Sequence, residues 1–440
     1  MKYVVALFVV VIVFSVGALQ AQTTATTPAQ QRKPVPVAAS PATNPSSSDG
    51  SVIAPPTTGD FQDVWTHASE TSAVIYWMTP VPAGSTVQYG LDDKYGMKSE
   101  EKGKNHVNDQ PYYTHFHRLI GLQPDKTYHF RMIYTGPDGK EIVSKDGTFA
   151  TKKSAAIRIP GDLKGTPYVL DKPGDYILTE DLKVGGTGIR ITKKINLDLD
   201  GHTITYNEDS ITPAKTGKFD EYLDSTCFGI EVTRTASGSK IFNGRVVQGK
   251  GNGPSQVHGL GFNPIAIRGA KDMEIAGVEA TYQGDSMKGF MLRGGAAHVH
   301  NCVLEDKGNI VMNRHMIKMV LEAAGTDVHN NLIKRYRQAG VYGGNGGNIY
   351  RNEMYGAPAG NNHCGVMVYK GSDIQIRDNY VFSRTNDAPE INREEYKGEI
   401  AGGGIYTVSG CKNIKIYRNK IHLVAENMDQ MSGVRVTWGG

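Results

Sequence analysis

The sequence predicts an all-β chain, an antiparallel sandwich followed by a parallel β-solenoid. Three observations carry that expectation. Residues 59–152 alternate apolar and polar side chains in short runs separated by turn signals. From residue 153 onward one unit recurs at roughly 20–40 residues: apolar-x-apolar, a Gly-containing turn, then Ile-x-Ile-x-x-Asn-x-apolar. No segment of this repeating region places its apolar residues at helical spacing. The composition agrees: 440 residues with 52 Gly, 22 Tyr and 21% charged side chains describe a soluble, turn-rich chain. A net charge of +4 gives no reason to expect nucleic acid as a partner.

The elements follow in order. Lys2 precedes an apolar run from Val4 to Leu19 that ends in Ala18-Leu19-Gln20-Ala21. Residues 1–21 therefore predict a signal peptide, and the chain is expected to be secreted, periplasmic or at the cell surface, with no membrane span after cleavage. Residues 22–58 are Pro, Ser, Thr and Ala with few large apolar side chains. They cannot bury enough surface to offset their ordering entropy and predict a flexible linker. Cys227, Cys302, Cys364 and Cys411 match no metal-ligand spacing and form no disulfide framework; they read as mostly buried small apolar residues, with one bridge left open.

Within residues 59–152, Ala73-Val-Ile-Tyr-Trp77, Thr86-Val-Gln-Tyr89 and Thr127-Tyr-His-Phe-Arg131 alternate as strands, and Gly136-Pro-Asp-Gly139 reads as a turn. Trp77 and the stretch His117-Arg-Leu-Ile-Gly-Leu-Gln-Pro-Asp-Lys-Thr-Tyr128 resemble a fibronectin type III domain, closest to the sandwich ahead of purple acid phosphatases. In that resemblance Tyr128 is the tyrosine-corner residue. The phosphatase metal-ligand blocks are absent from the rest of the sequence, so the resemblance implies a spacer or binding module. His106, His115 and His117 with Asp109 lack ligand spacing and read as strand surface beside a loop.

In residues 153–440 the Asn recurs in Val328-His-Asn-Asn331, Ile349-Tyr-Arg-Asn352, Ile376-Arg-Asp-Asn379 and Ile416-Tyr-Arg-Asn419, whereas earlier copies carry His202, Gly244, Val278 and Cys302. An Asn at each bend can bond its amide to the backbone and to the next Asn. These repeats, with Gly174-Asp-Tyr-Ile-Leu and Ile195-Asn-Leu-Asp-Leu-Asp-Gly-His-Thr-Ile204, resemble the right-handed parallel β-helix of the pectate-lyase-like superfamily. That superfamily holds lyases, hydrolases, epimerases and non-catalytic adhesins, so the resemblance implies a fold and an extracellular polysaccharide, with Ca²⁺ as a cofactor some members use. By register, Gly433–Gly440 opens a further coil; a solenoid needs a cap, and a C-terminally truncated fragment is expected.

Outward residues of one strand per coil are the candidate site, assigned by alternation from the inward apolar pairs. The pairs Ile265-x-Ile267, Phe290-x-Leu292 and Ile317-x-Met319 give Arg268, Arg293 and Lys318; the later coils give Tyr342, Tyr369, Tyr406 and Arg435. Coils are about 4.8 Å apart, close to the length of a sugar ring. Cations can neutralise uronate carboxylates and tyrosines can stack on sugar faces, which suits an anionic polysaccharide. A lyase would use Lys318 as base, Arg293 or Arg268 as neutraliser and Tyr342 as proton donor, with His315 and His363 as alternatives. A glycoside hydrolase ranks lower, because no Asp-Asp pair flanks a strand. The remaining alternative is a non-catalytic surface or matrix protein.

Overall fold

The computed structural model describes residues 59–209, 227–251, 263–282, 288–292, 294–307, 319–323, 325, 327–337, 339–356, 363–384, 401–424 and 430–437. The expected signal peptide and linker lie outside these residues. The described chain is almost wholly β, an N-terminal sandwich followed by a right-handed parallel β-helix.

The sandwich comprises β1 (Gln62–Ala68), β2 (Ser72–Met78), β3 (Ser85–Gly90), β4 (Met97–Glu101), β5 (Thr114–Ile120), β6 (Thr127–Thr135), β7 (Glu141–Val143) and β8 (Gly147–Ala150). One sheet has the order β1-β2-β5; the other runs β4-β3-β6-β7, with β8 also on β6. Alternation sends Ile75, Trp77, Val87, Phe130 and Tyr134 into the shared core. The Tyr128 hydroxyl accepts the Gln123 N–H at 2.9 Å, so the corner read from the sequence is formed.

His115 and His117 are not on the strand surface. They are buried, with ring centroids 5.0 and 5.1 Å from Trp77. Their Nε2 atoms bond the hydroxyls of Thr79 and Ser85. Burial pushes both imidazoles down to about 3. They face the sandwich interior, where His117 also meets the Ser99 hydroxyl of β4, while Phe116 on the opposite face of β5 packs against the β-helix.

Each coil of the β-helix runs through a first strand, a second strand, a bend and a third strand. The first strands stack in parallel from Tyr168–Leu170 to Gln430–Thr437, ten of them among the described residues. Their inward side chains Ile189, Ile230, Ile265 and Phe290, then Val341, Val366 and Ile405, fill one continuous core. A glycine precedes the inward residue in most coils, and the geometry says why. A Cβ at Gly229, Gly365 or Gly404 would stand 2.1, 2.6 and 2.5 Å from Val246, Val381 and Ile421 of the third strands. The two walls approach too closely there for any side chain.

The bend between second and third strands is built by the recurring asparagines. Asn331 Nδ2 donates to Asn352 Oδ1 at 2.9 Å, Asn352 to Asn379 at 3.0 Å, and Asn379 to Asn419 at 2.9 Å. Each Nδ2 also donates to a carbonyl of the preceding coil: Val299, Val328, Ile349 and Ile376. The residue before each Asn holds a left-handed φ between 53° and 56° (Asn330, Arg351, Asp378, Arg418), which turns the chain. Cys227, Cys302 and Cys364 are buried free thiols and Cys411 a half-buried one; burial pushes Cys227 and Cys302 up to about 12.

The sandwich docks on this bend and on the third strands. Val74, Tyr76, Tyr112 and Phe116 form one cluster with Val303, Leu332, Tyr355 and Phe382. Polar contacts begin at Arg158, whose guanidinium donates to Glu70 at 3.0 Å, and reach Lys420, whose ammonium donates to the Tyr113 hydroxyl at 3.2 Å. The spacer implied by the resemblance is therefore a docked domain. Asp198 and Asp200, whose place in an early coil suggests turn duty, are part of this interface.

Two outcomes follow from this packing. Asn352 supplies bonds to two neighbouring coils, so Asn352→Ala should lower the urea unfolding free energy by about 1–3 kcal/mol for each buried group left unpaired. Glu101 is half-buried beside the docked face, and desolvation raises its carboxyl to about 7, against the pull of Lys334 and the Phe116 N–H. The folded state then holds a proton that the unfolded chain has released. Stability should fall as pH rises from about 4.5 to about 7. Glu101→Gln should remove that decline, raising thermal stability at pH above this window and leaving it unchanged below.

Candidate functional site

Long connections fix which face of the β-helix is a site candidate. The chain travels from Tyr206 to Phe228, from Gln248 to Asn263, from Asp306 to Met319 and from Arg384 to Ala401 between a third strand and the next first strand. The bends at the asparagines are short by comparison, as from Tyr350 to Glu353. Every long connection thus enters the first sheet at the start of its strands. Loops of variable length collected along one sheet edge are where binding residues can vary without disturbing the scaffold.

Register sorts the outward residues of this sheet into two columns where alternation from sequence suggested one. Arg190 pairs with Glu231, and Glu231 with Ala266; further along, Glu322, Tyr342, Met367, Tyr406 and Arg435 follow one another. Arg268 and Tyr369 belong to a second column two residues further on, since Ile267 and Val368 share the preceding inward row with Val232, Gly343 and Thr407. In the coil of Lys318 the register differs from the sequence reading. The strand begins at Met319, and Leu321 is the partner of Phe290 and Val341. Leu321, and not Met319, thus shares the row of Phe290 and Val341, and Glu322 stands level with Tyr342. Lys318, Arg293 and His315 themselves lie outside the described residues, as does the side chain of His363.

The described side chains are already engaged with one another. Glu231, 4% exposed, takes Arg190 Nε and Arg268 Nη1 at 2.7 Å each, so Arg268 shares one carboxylate with a second guanidinium. Tyr406 is only 2% exposed and packs with Ala339, Cys364 and Met367; the Arg435 guanidinium lies 5.7 Å from its ring centroid. Tyr342 is half-buried against the same cluster. Tyr369 is 40% exposed, with the Lys370 ammonium 5.2 Å from its centroid. Glu231 is the residue missing from the sequence reading. The pair Ile230-x-Val232 would have given it by the same alternation that gave Arg268.

Of the middle-coil carboxylates that a hydrolase could draw on, Glu322 lies on the first strand Met319–Ala323. Glu305 and Asp306 sit on the third strand Val303–Asp306, and Asp285 lies outside the described residues. Among the described residues no group of three or more His, Cys, Asp or Glu is placed to hold a metal ion.

Comparison with known proteins adds the following. Residues 62–151 match the family model of the purple acid phosphatase N-terminal domain, in agreement with the strand pattern of the sandwich. No curated protein matches the chain. Among solved structures, the family 28 exopolygalacturonase of Yersinia enterocolitica is 12% identical with a TM-score of 0.37, over 86% of this chain and 91% of that one. Pectate lyase Pel3 of Pectobacterium carotovorum is 11% identical with a TM-score of 0.25, over 73% and 85%. Pectate lyase PelI of Erwinia chrysanthemi is 10% identical with a TM-score of 0.22, over 82% and 91%. The β-helix assignment stands on the coil register and the asparagine ladder.

The shared carboxylate generates a measurable outcome. Glu231→Gln removes one negative charge from between two half-exposed guanidiniums, so the variant should elute from a polyanionic matrix at higher salt than the parent. Unchanged elution would mean that these arginines do not present their charge to a ligand.

Proposed function

We propose that the chain is an exported, carbohydrate-active protein that engages an extracellular anionic polysaccharide along the outward face of its first sheet. The observation that carries this reading is the coincidence of two features on one face. All the long connections enter there, and arginines and tyrosines recur there from coil to coil. A rise of about 4.8 Å per coil suits a polymer of sugar rings lying along the stack.

In the finer reading the chemistry is β-elimination. Lys318 takes the proton beside a uronate carboxylate, Arg293 or Arg268 neutralises that carboxylate, and Tyr342 returns a proton to the leaving oxygen, with His315 and His363 as alternative bases. Tyr369, Tyr406 and Arg435 belong to the substrate-binding stretch, and Ca²⁺, when bound, would share in neutralising the carboxylate. A second reading, binding without catalysis, is favoured by one specific observation. The Glu231 carboxylate already occupies Arg268, and the Tyr406 ring is buried, so both are less available to substrate than the sequence suggests.

The experiment is ultraviolet detection of unsaturated uronate product. The full chain is incubated with pectate, alginate and chondroitin, with and without Ca²⁺. Product that disappears in Lys318→Ala supports the lyase. Retention of the chain on an immobilised polyuronate with no product and no new reducing ends supports the binding protein, and neither retention nor product rejects both.

A further inference from the structure

The asparagine ladder stops short of the first coils. Its uppermost bond is the Cys302 N–H donating to Asn331 Oδ1 at 3.0 Å. Above that point the equivalent positions are Val278, Gly244 and His202, none of which continues it. At Gly244 an asparagine is impossible, because a Cβ there would meet Leu199 Cβ at 2.1 Å and the His202 carbonyl at 2.9 Å. Bends without a ladder still expose carbonyls and side-chain amides that need partners when buried.

Those partners come from the sandwich. Arg118 of β5, with its side chain 2% exposed, lies across two of the bends. Its Nη2 donates to the carbonyls of Gly244 at 3.0 Å and Gly277 at 3.2 Å, and its Nη1 donates to Asn243 Oδ1 at 2.5 Å. Nε donates to Glu279 at 3.1 Å, which neutralises the buried guanidinium. The Asn243 amide donates in turn to the hydroxyls of Ser69 and Ser72 at 2.6 and 2.8 Å. One bend earlier, Asp200 accepts the Thr71 N–H at 2.9 Å and the Ser72 hydroxyl at 2.8 Å. The planar guanidinium is suited to this task, since its fixed fork offers several N–H groups to acceptors on adjacent coils.

We propose that the sandwich closes the bends of the first coils in place of the asparagine ladder, with Arg118 as the substituting group. The sandwich is thereby a structural part of the β-helix, and the ladder and the docked domain divide the bends between them. Hydrogen exchange read by mass spectrometry on the full chain tests this. Arg118→Lys keeps the charge beside Glu279 but cannot reach the three other acceptors. It should raise exchange about tenfold or more in Lys240–Gln248 and Met273–Tyr282, and leave Glu353–Gly356 and Tyr380–Arg384 unchanged. Ser72→Ala, a milder change, should raise exchange at the Asp200 bend and in Lys240–Gln248 and leave Met273–Tyr282 unchanged. Adding Val278→Asn and Cys302→Asn to Arg118→Lys extends the ladder by two bends and should restore protection in Met273–Tyr282. An equal loss along early and late coils, no loss at all, or no restoration by the added asparagines would overturn the proposal.

Discussion

A parallel coil must turn corners, and at each corner backbone groups leave their ladder and need new partners in a place that water does not reach. The fold depends on how that requirement is met. Stacking makes the answer repetitive: a solution that works in one coil can be copied into the next, provided its donor and acceptor point along the axis. The carboxamide of asparagine has both, with its oxygen serving one neighbour and its nitrogen another. The left-handed residue before each ladder Asn provides the turn, and the amide provides the bonds.

Much of the architecture was legible in the sequence for this reason. A repeated structural problem leaves a repeated residue, and Asn331, Asn352, Asn379 and Asn419 announce their bends. Tyr128 is legible for a similar reason, since its hydroxyl serves a backbone group only five residues away. What the sequence concealed is what depends on distant segments. Arg118 and Gly277 are far apart in the chain, and no local pattern on β5 distinguishes an arginine facing solvent from one buried against a second domain. His115 and His117 are hidden for a related reason: they lie in the sandwich interior beside Trp77 with hydroxyl partners from other segments, and no local pattern marks a polar side chain satisfied in that way. On the first sheet the alternation rule was sound, but it needed the correct starting pair. In the coil of Lys318 the pair Ile317-x-Met319 is the more conspicuous in sequence, whereas strand pairing sets Leu321 level with Phe290 and Val341.

The outward face of the first sheet also shows why single residues on a solvated sheet resist interpretation. Arg268 read alone is a cation awaiting an anion. In register it is half of a pair of guanidiniums around the buried Glu231, an arrangement whose net positive charge is spread over three successive coils. Tyr406, read alone, is a stacking platform, yet its ring is enclosed by Ala339, Cys364 and Met367. Charge and aromaticity on this face are organised between coils more than within them.

The column of glycines bears on how such a chain can change over time. Where Gly229, Gly365 and Gly404 bring two walls together, coil circumference is fixed, and a residue gained or lost within a strand would drive a side chain into the opposite wall. The connections from Tyr206 to Phe228 and from Arg384 to Ala401 join strands of different walls, so a change in their length leaves the register of both walls as it is. Length variation is thereby channelled to a single edge of the molecule. New chemistry could be acquired there by lengthening a connection, while the scaffold beneath kept its register.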